Sequence, residues 1–249
     1  RSTIKWCFPV SPEFELIYRY FSDIGTKNLP IGIGDDAAVI NIAEGQAIHM
    51  TTATLTSATP YLKPNNPAQI ARLVLSTALN RMAATGTKGS WFSLSLTIPN
   101  KENSWLEKFA FALNEVAHVE NIYLLGGDTT RGPLCVQINL LAPTEGLVIE
   151  SCGAQKGDQL FISGPIGLYA AHIPLWLDPK IYRSDPNLIH RAEYPKARND
   201  LRDLILSTAR AAVSVDRGLI SALEELTTSH GLGATINMED FPLEPLLAR

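Results

Sequence analysis

Leu124-Leu125-Gly126-Gly127-Asp128-Thr129-Thr130-Arg131-Gly132-Pro133 decides how this chain is read. Apolar residues run into two glycines, then a carboxylate and two hydroxyls, then a Gly-Pro break. This reads as a strand over 122–127, a turn over 128–133, and a second strand over 134–143. A loop that gathers backbone N–H groups, an Asp and threonine hydroxyls suits a phosphate and its cation. An ordinary hairpin turn explains it equally well. Upstream, residues 103–119 have the spacing of an amphipathic helix, and SWFSLSLTIP (90–99) alternates like a half-buried strand with Trp91 out of phase. Pro67 to Gly86 reads as a long helix opened by proline and closed by glycine.

Nearer the N-terminus, AIHMTTATL (47–55) and IGIGDDAAVINI (31–42) read as strands parted by Glu44-Gly45. A helix over 11–21 precedes them, with Ser11 as N-cap and Pro12 at its first position. Helix and strand thus interleave through the first 142 residues, as in an α/β or α+β domain. Pro143 to Gly157 reads as a boundary. Beyond it the pattern predicts strands at QLFISG (159–164), AAVSVD (211–216) and ATINME (234–239). Helices are predicted over 166–177, 201–209 and 218–230, with a polar loop over 178–195. The domains are therefore set at 11–142 and 143–249.

Composition narrows the function classes. The 249 residues carry a net charge of −4, with 45% hydrophobic and 18% charged residues, so the chain is globular and not disordered. Lys and Arg form no stripe, which argues against nucleic acid. No apolar run is long enough to span a bilayer, and RSTIKWCFPV lacks the h-region of a secretory signal. Three cysteines without CxxC spacing argue against a disulfide framework or zinc finger and point to a reducing, cytoplasmic setting. Cys135, alternating within a strand, reads as a buried small apolar residue, and the tryptophans as core or interface residues. Histidines 49, 118, 172, 190 and 230 show no zinc-hydrolase spacing, and no nucleophile elbow or Walker motif occurs.

Two further motifs carry candidate chemistry. In Gly32-Ile33-Gly34-Asp35-Asp36-Ala37-Ala38, paired carboxylates at a Gly-rich turn offer oxygen ligands to a hard divalent cation. A solvated turn with aspartates bonding local N–H groups is the plainer reading of that motif alone. Thr51-Thr52-Ala53-Thr54 is a hydroxyl run on a strand, explained by β-propensity.

In order, PEFELIYRYF, GIGDDAAVINI, TTATL, the helix ending AATG, WFSLSLTIP, LLGGDTTRGP and GAQKGDQLFISGPIG form a series. From about residue 11 onward the chain resembles the thiamine-monophosphate kinase family, within the aminoimidazole-ribotide synthetase-like ATP-binding superfamily. The resemblance implies a PurM-like N-terminal α/β domain whose mixed sheet forms a dimer barrel. It also implies a PurM-like C-terminal domain, here expected to be incomplete because the family's G-E-D-Y-E segment is missing. The implied reaction moves the γ-phosphoryl of ATP to thiamine monophosphate, with Mg²⁺ held by aspartates. Carried onto this chain, the nucleotide and metal site comprises Asp35, Asp36, Thr51, Thr52, Gly126, Gly127, Asp128 and Thr129. Asp35, Asp36 and Asp128 are its candidate Mg²⁺ ligands.

Against the family's motifs this chain departs at chemical positions. The S-T-D-T strand has Ala53 for its Asp, S-D-L-A-A-M-G has Arg81, and D-x-S-D-G has Ser214 and Arg217 for its outer aspartates. R-S-G-A has Ser151 for its Arg, a family His falls at Pro60, and G-D-S-A reads Gly167-Leu168-Tyr169-Ala170. Exchanging four aspartates for Ala, Arg, Ser and Arg makes the site about six charges more positive. The resemblance thus implies a catalytically impaired homologue with no assigned catalytic residue, in which Arg81 and Arg217 pair with Asp35, Asp36 and Asp128 in place of magnesium. Two alternatives stay open. One is an active phosphotransferase with a rearranged metal set, drawing on Asp216 and Glu150. The other is a ligand-free scaffold, since fold alone does not prove function.

Overall fold

The computed structural model describes residues 17, 19–22, 24, 29, 31–33, 37–59, 66–100, 102–146, 148–168, 170–171, 190–191 and 194–243. The helix expected over 11–21, the one over 166–177 and the loop over 178–195 lie largely outside the described residues, as do Asp35 and Asp36.

Four strands make one mixed sheet in the order β1-β4-β2-β3, with β1 at Ala47–Thr56, β2 at Trp91–Ile98, β3 at Tyr123–Arg131 and β4 at Cys135–Thr144. β4 lies antiparallel to both β1 and β2, whereas β2 and β3 are parallel. Parallel neighbours need a crossover, and helix α2 (Asn103–Glu120) supplies it. Helix α1 (Pro67–Ala84) joins β1 to β2. Asn66 caps α1 by accepting from the Gln69 N–H at 3.1 Å, and Pro67 opens it.

Strand alternation builds the core. Leu55 on β1, Phe92, Leu94, Leu96 and Ile98 on β2, and Val136, Ile138 and Leu140 on β4 face the helices and are buried. Ile70, Val74, Leu75, Leu79 and Met82 of α1 meet them, with Leu106, Phe109 and Leu113 of α2 in the same cluster. Burying each large side chain stabilises by about 1.5–3 kcal/mol, so this layer holds the sheet. The other sheet face is the more polar one, although Met50, Leu141 and Trp91 form an apolar row across it. Thr52 Oγ1 donates to Asn139 Oδ1 at 2.9 Å, and Asn139 Nδ2 donates to Ser93 Oγ at 3.0 Å.

The 122–133 stretch folds differently from the expected hairpin. β3 continues through Asp128-Thr129-Thr130 to Arg131, pairing Ser95–Ile98 of β2 rung by rung. β-branched threonines favour that extension, and Thr97 and Thr130 share a hydrogen bond of 2.9 Å. The true turn is only Gly132 to Leu134, which crosses the end of β2 so that β4 pairs on its far side; the Gly132 N–H donates to Ile98 O at 3.0 Å. Cys135 is half-buried on the polar face, one residue out of phase with buried Val136, and so is not a core residue. Trp91 is half-buried, and Trp105 stacks on Phe109 at 5.2 Å.

Four expected strands do not form among the described residues. The described residues of the 31–42 run make isolated bridges and no strand, Ile31 pairing with Val39. QLFISG, AAVSVD and ATINME adopt no strand; their backbones find few partners, chiefly Ala212 N–H to Glu150 O at 3.4 Å. A strand needs a neighbour to bond its alternate N–H and C=O groups, and apolar Phe161, Val215 and Ile236 are exposed here. Two helices do form as read, α3 (Arg202–Thr208) and α4 (Leu219–Thr228). Leu206 of α3 docks on Gly86, where any Cβ would lie 2.3 Å from Leu206 Cδ2.

Candidate functional site

A cleft of about 710 Å³ opens where the first half of the chain meets the second. β1 gives it His49 and Thr51, the end of α1 gives Arg81 and Thr85, the 148–152 segment gives Glu150, Ser151 and Cys152, and the 212–217 segment gives Ser214, Asp216 and Arg217. Four of the positions at which the chain departs from the family motifs therefore converge. Arg81, Ser151, Ser214 and Arg217 all line this one cleft, and Ala53 lies buried two residues beyond Thr51.

Arg81 dominates the geometry. Its Nη1 donates to the Thr52 carbonyl at 2.5 Å, while Nε and Nη2 both reach Asp216 Oδ2, at 2.8 and 2.5 Å. The last turn of α1 carries this side chain to the cleft. The expected pairing of Arg81 and Arg217 with Asp128 is corrected here. Arg81 pairs with Asp216, and Arg217 pairs with Glu225 of α4 at 3.0 Å. Asp128 sits on the polar face of the sheet, in register with Ser95, whereas Ala53 faces the helices. Asp128 and Ala53 thus lie on opposite sides of the same sheet.

The remaining candidates divide the same way. Thr51 faces the cleft, whereas Thr52 and Gly126 lie on the polar face, the latter in register with Ser93. Gly127 and Thr129 lie on β3 and do not line the cleft. Gly127 has a packing reason of its own, since a Cβ there would lie 1.7 Å from the Leu94 carbonyl oxygen.

Two contacts were not legible in the sequence. His49 Nδ1 and Thr87 Oγ1 are 3.0 Å apart, joining β1 to the loop after α1. The Cys152 thiol donates to Glu150 Oε2 at 3.2 Å. That hydrogen bond, with some desolvation and the nearby negative charge, raises the Cys152 pKa above its ordinary value. The thiol is therefore a poor nucleophile near neutrality.

Of the three candidate magnesium ligands, Asp128 alone is among the described residues. Among the described residues no group of three His, Cys, Asp or Glu side chains is close enough to hold an ion, and Asp216 in the cleft is already paired with Arg81.

Residues 34–144 match the family described as AIR synthase related protein, N-terminal domain, so the sheet and its two helices define a PurM-like protein. Thiamine-monophosphate kinase of Escherichia coli (strain K12) is 34% identical over 249 residues, spanning 95% of this chain and 75% of that protein. This chain belongs to the thiamine-monophosphate kinase family. The crystal structure of thiamine-monophosphate kinase from Stenotrophomonas maltophilia K279a superposes with a TM-score of 0.83 at 28% identity, covering 95% of this chain and 78% of that one. AaThiL complexed with AMPPCP and TMP shares the fold, with a TM-score of 0.74 at 24% identity over 94% of this chain and 74% of that one.

Proposed function

We propose that this chain retains the nucleotide and thiamine-phosphate cleft of its family but is impaired in phosphoryl transfer from ATP to thiamine monophosphate. One observation carries the reading. Where the family's motif has an aspartate, Arg81 spans the cleft from Thr52 O to Asp216. Phosphoryl transfer depends on positioning and on neutralising phosphate charge, chiefly by metal held on carboxylates. A guanidinium cannot hold a cation, and here it also consumes one of the remaining carboxylates. That a fold relative binds AMPPCP and TMP supports a nucleotide and a thiamine phosphate as the ligands to test.

The division into units 11–142 and 143–249 belongs to the same reading, as does a homodimer through the polar sheet face. β4 ends at Thr144, and the cleft is lined by residues from both sides of that point.

One observation favours a second reading, an active phosphotransferase with a rearranged metal set. Glu150 and Asp216 both line the cleft. A turnover assay with ATP, Mg²⁺ and thiamine monophosphate separates the two. Impairment predicts rates far below the roughly 1–100 per second of ordinary kinases, and product formation in that range refutes it. Calorimetry adds a second criterion, since nucleotide binding without Mg²⁺ accords with impairment and a strict Mg²⁺ requirement with the active enzyme.

A further inference from the structure

A second pocket, of about 570 Å³, lies beyond the end of α1, between the 86–90 loop, the end of β4 and the start of α3. We propose that it binds a phosphate group, free or carried on a polar small molecule. This inference does not rest on the reading of the first cleft.

The loop Gly86-Thr87-Lys88-Gly89-Ser90 is fixed at several points. Gly86 has φ +77° and packs under Leu206, while the Thr87 N–H donates to Met82 O at 3.2 Å and its side chain meets His49. Gly89 is buried, and a Cβ there would lie 2.9 Å from Leu140 Cδ1; the Ser90 N–H then enters the sheet on Leu141 O at 2.9 Å. The segment is therefore preorganised, and ordering it adds no cost when a ligand arrives.

What it presents is a set of unused donors. Among the described residues, the N–H groups of Lys88 and Gly89 have no acceptor, and the Lys88 ammonium has no ion-pair partner. A buried glycine N–H without an acceptor is uncommon and asks for a ligand atom or water. Arg202 adds a second cation. Its Nε and Nη2 hold Asp203 at 2.9 and 2.7 Å, which leaves Nη1 unengaged among the described residues. Successive backbone N–H groups flanked by Lys and Arg form an anion cradle, and the planar guanidinium suits a phosphate oxygen.

The pocket also limits its ligand. Glu145 lines it, held by Gln46 Nε2 at 2.5 Å, and Asn121 offers an amide. A carboxylate there repels a ligand that is anionic throughout and accepts from a hydroxyl or amine. A phosphate ester with a hydroxylated or amino body suits both features.

The probe is inorganic phosphate, titrated at constant ionic strength against chloride and followed by amide chemical shifts of the full chain. Saturable shifts at Lys88 and Gly89 are expected, with Lys88→Ala and Arg202→Ala each weakening binding about tenfold, the effect of losing one charge-assisted contact. Lys88 is exposed, so its alanine variant keeps the fold, and the dispersion of the same spectra verifies it. Shifts confined to Thr51, Ser151 and Ser214 would assign phosphate to the first cleft and overturn the proposal. An absence of saturable shifts at the loop, or unchanged binding in Lys88→Ala, would overturn it as well.

Discussion

Both nitrogens that Arg81 directs at Asp216 converge on the same carboxylate oxygen, Oδ2, with Nε at 2.8 Å and Nη2 at 2.5 Å. The third arm of the guanidinium bonds Thr52 O, so one side chain ties β1 to Asp216, which lies 135 residues beyond Arg81 itself. The Asp216 side chain is only 18% exposed, and that of Arg81 is 35% exposed. The contact is therefore better shielded than a surface ion pair, and its coupling should exceed the usual surface range of about 0–1 kcal/mol. A double-mutant cycle of Arg81→Ala and Asp216→Ala, read by chemical denaturation, should give about 1–2 kcal/mol. Arg81→Lys should recover less than half of it, because one ammonium cannot serve Thr52 O and Asp216 in this geometry. Full recovery by lysine would show that charge alone, and not the forked geometry, makes the link.

Restoring the family aspartate on β1 meets a physical obstacle. Ala53 is 1% exposed and faces the helices. An Asp there is desolvated, which raises its folded-state pKa above the unfolded value. Below the unfolded pKa both states are neutral and the cost is smallest; it grows as pH rises through the folded pKa, because the unfolded chain ionises first. Ala53→Asp should therefore destabilise by roughly 2–4 kcal/mol near neutrality and less at pH 4, as read from urea midpoints. Added Mg²⁺ should leave the midpoint unchanged. A Mg²⁺-dependent recovery would show that carboxylate ligands for an ion remain around it.

Much of the first half was legible because its signals are local. Asn66-Pro67 and Gly86 bracket α1 as capping chemistry requires, and the Phe92, Leu94, Leu96, Ile98 alternation marks β2 with its buried face. The second half misled because an alternating run such as AAVSVD becomes a strand only when a neighbour accepts its hydrogen bonds, and periodicity carries no word of that neighbour. The candidate site was legible as a set of positions and not as a geometry. Arg81, Ser151, Ser214 and Arg217 do share a cleft, yet the partner of Arg81 depends on how distant segments meet. The Asp128 motif shows the opposite error. Its spacing suggests a loop, whereas parallel pairing with β2 draws it into a strand on the other sheet face.

Gly127 tests that pairing. A Cβ at this position would sit 1.7 Å from Leu94 O and 2.7 Å from Leu94 C, so backbone and not a flexible side chain would have to move. Gly127→Ala should separate β2 from β3 and cost at least about 3 kcal/mol, at the upper end of single-substitution effects. Gly146→Ala is the control, because nothing lies within 4 Å of a Cβ there. Thermal unfolding of both variants checks the contrast. Equal losses would mean that the close approach of Gly127 to β2 is not what sets the cost.

Cys152 reports on the first cleft without any knowledge of its ligand. Its hydrogen bond to Glu150, together with desolvation and the nearby charge, holds the thiol pKa above the ordinary value, so the thiolate fraction at pH 7.5 is small. Removing the carboxylate by Glu150→Gln takes away the charge repulsion and the anionic acceptor that stabilises the S–H form. The pKa falls, and alkylation by iodoacetamide should speed up several-fold at pH 7.5, with the difference between the two proteins narrowing as pH rises and the wild-type thiol ionises in turn. Peptide mass spectrometry separates Cys152 from half-buried Cys135, which lies on the polar sheet face and serves as an internal reference. Because Cys152 lines the cleft beside Ser151, a nucleotide or thiamine phosphate seated there should protect it in both proteins. Protection by nucleotide in the absence of Mg²⁺ is the result that metal-independent binding requires, and protection only with Mg²⁺ would favour the rearranged metal site.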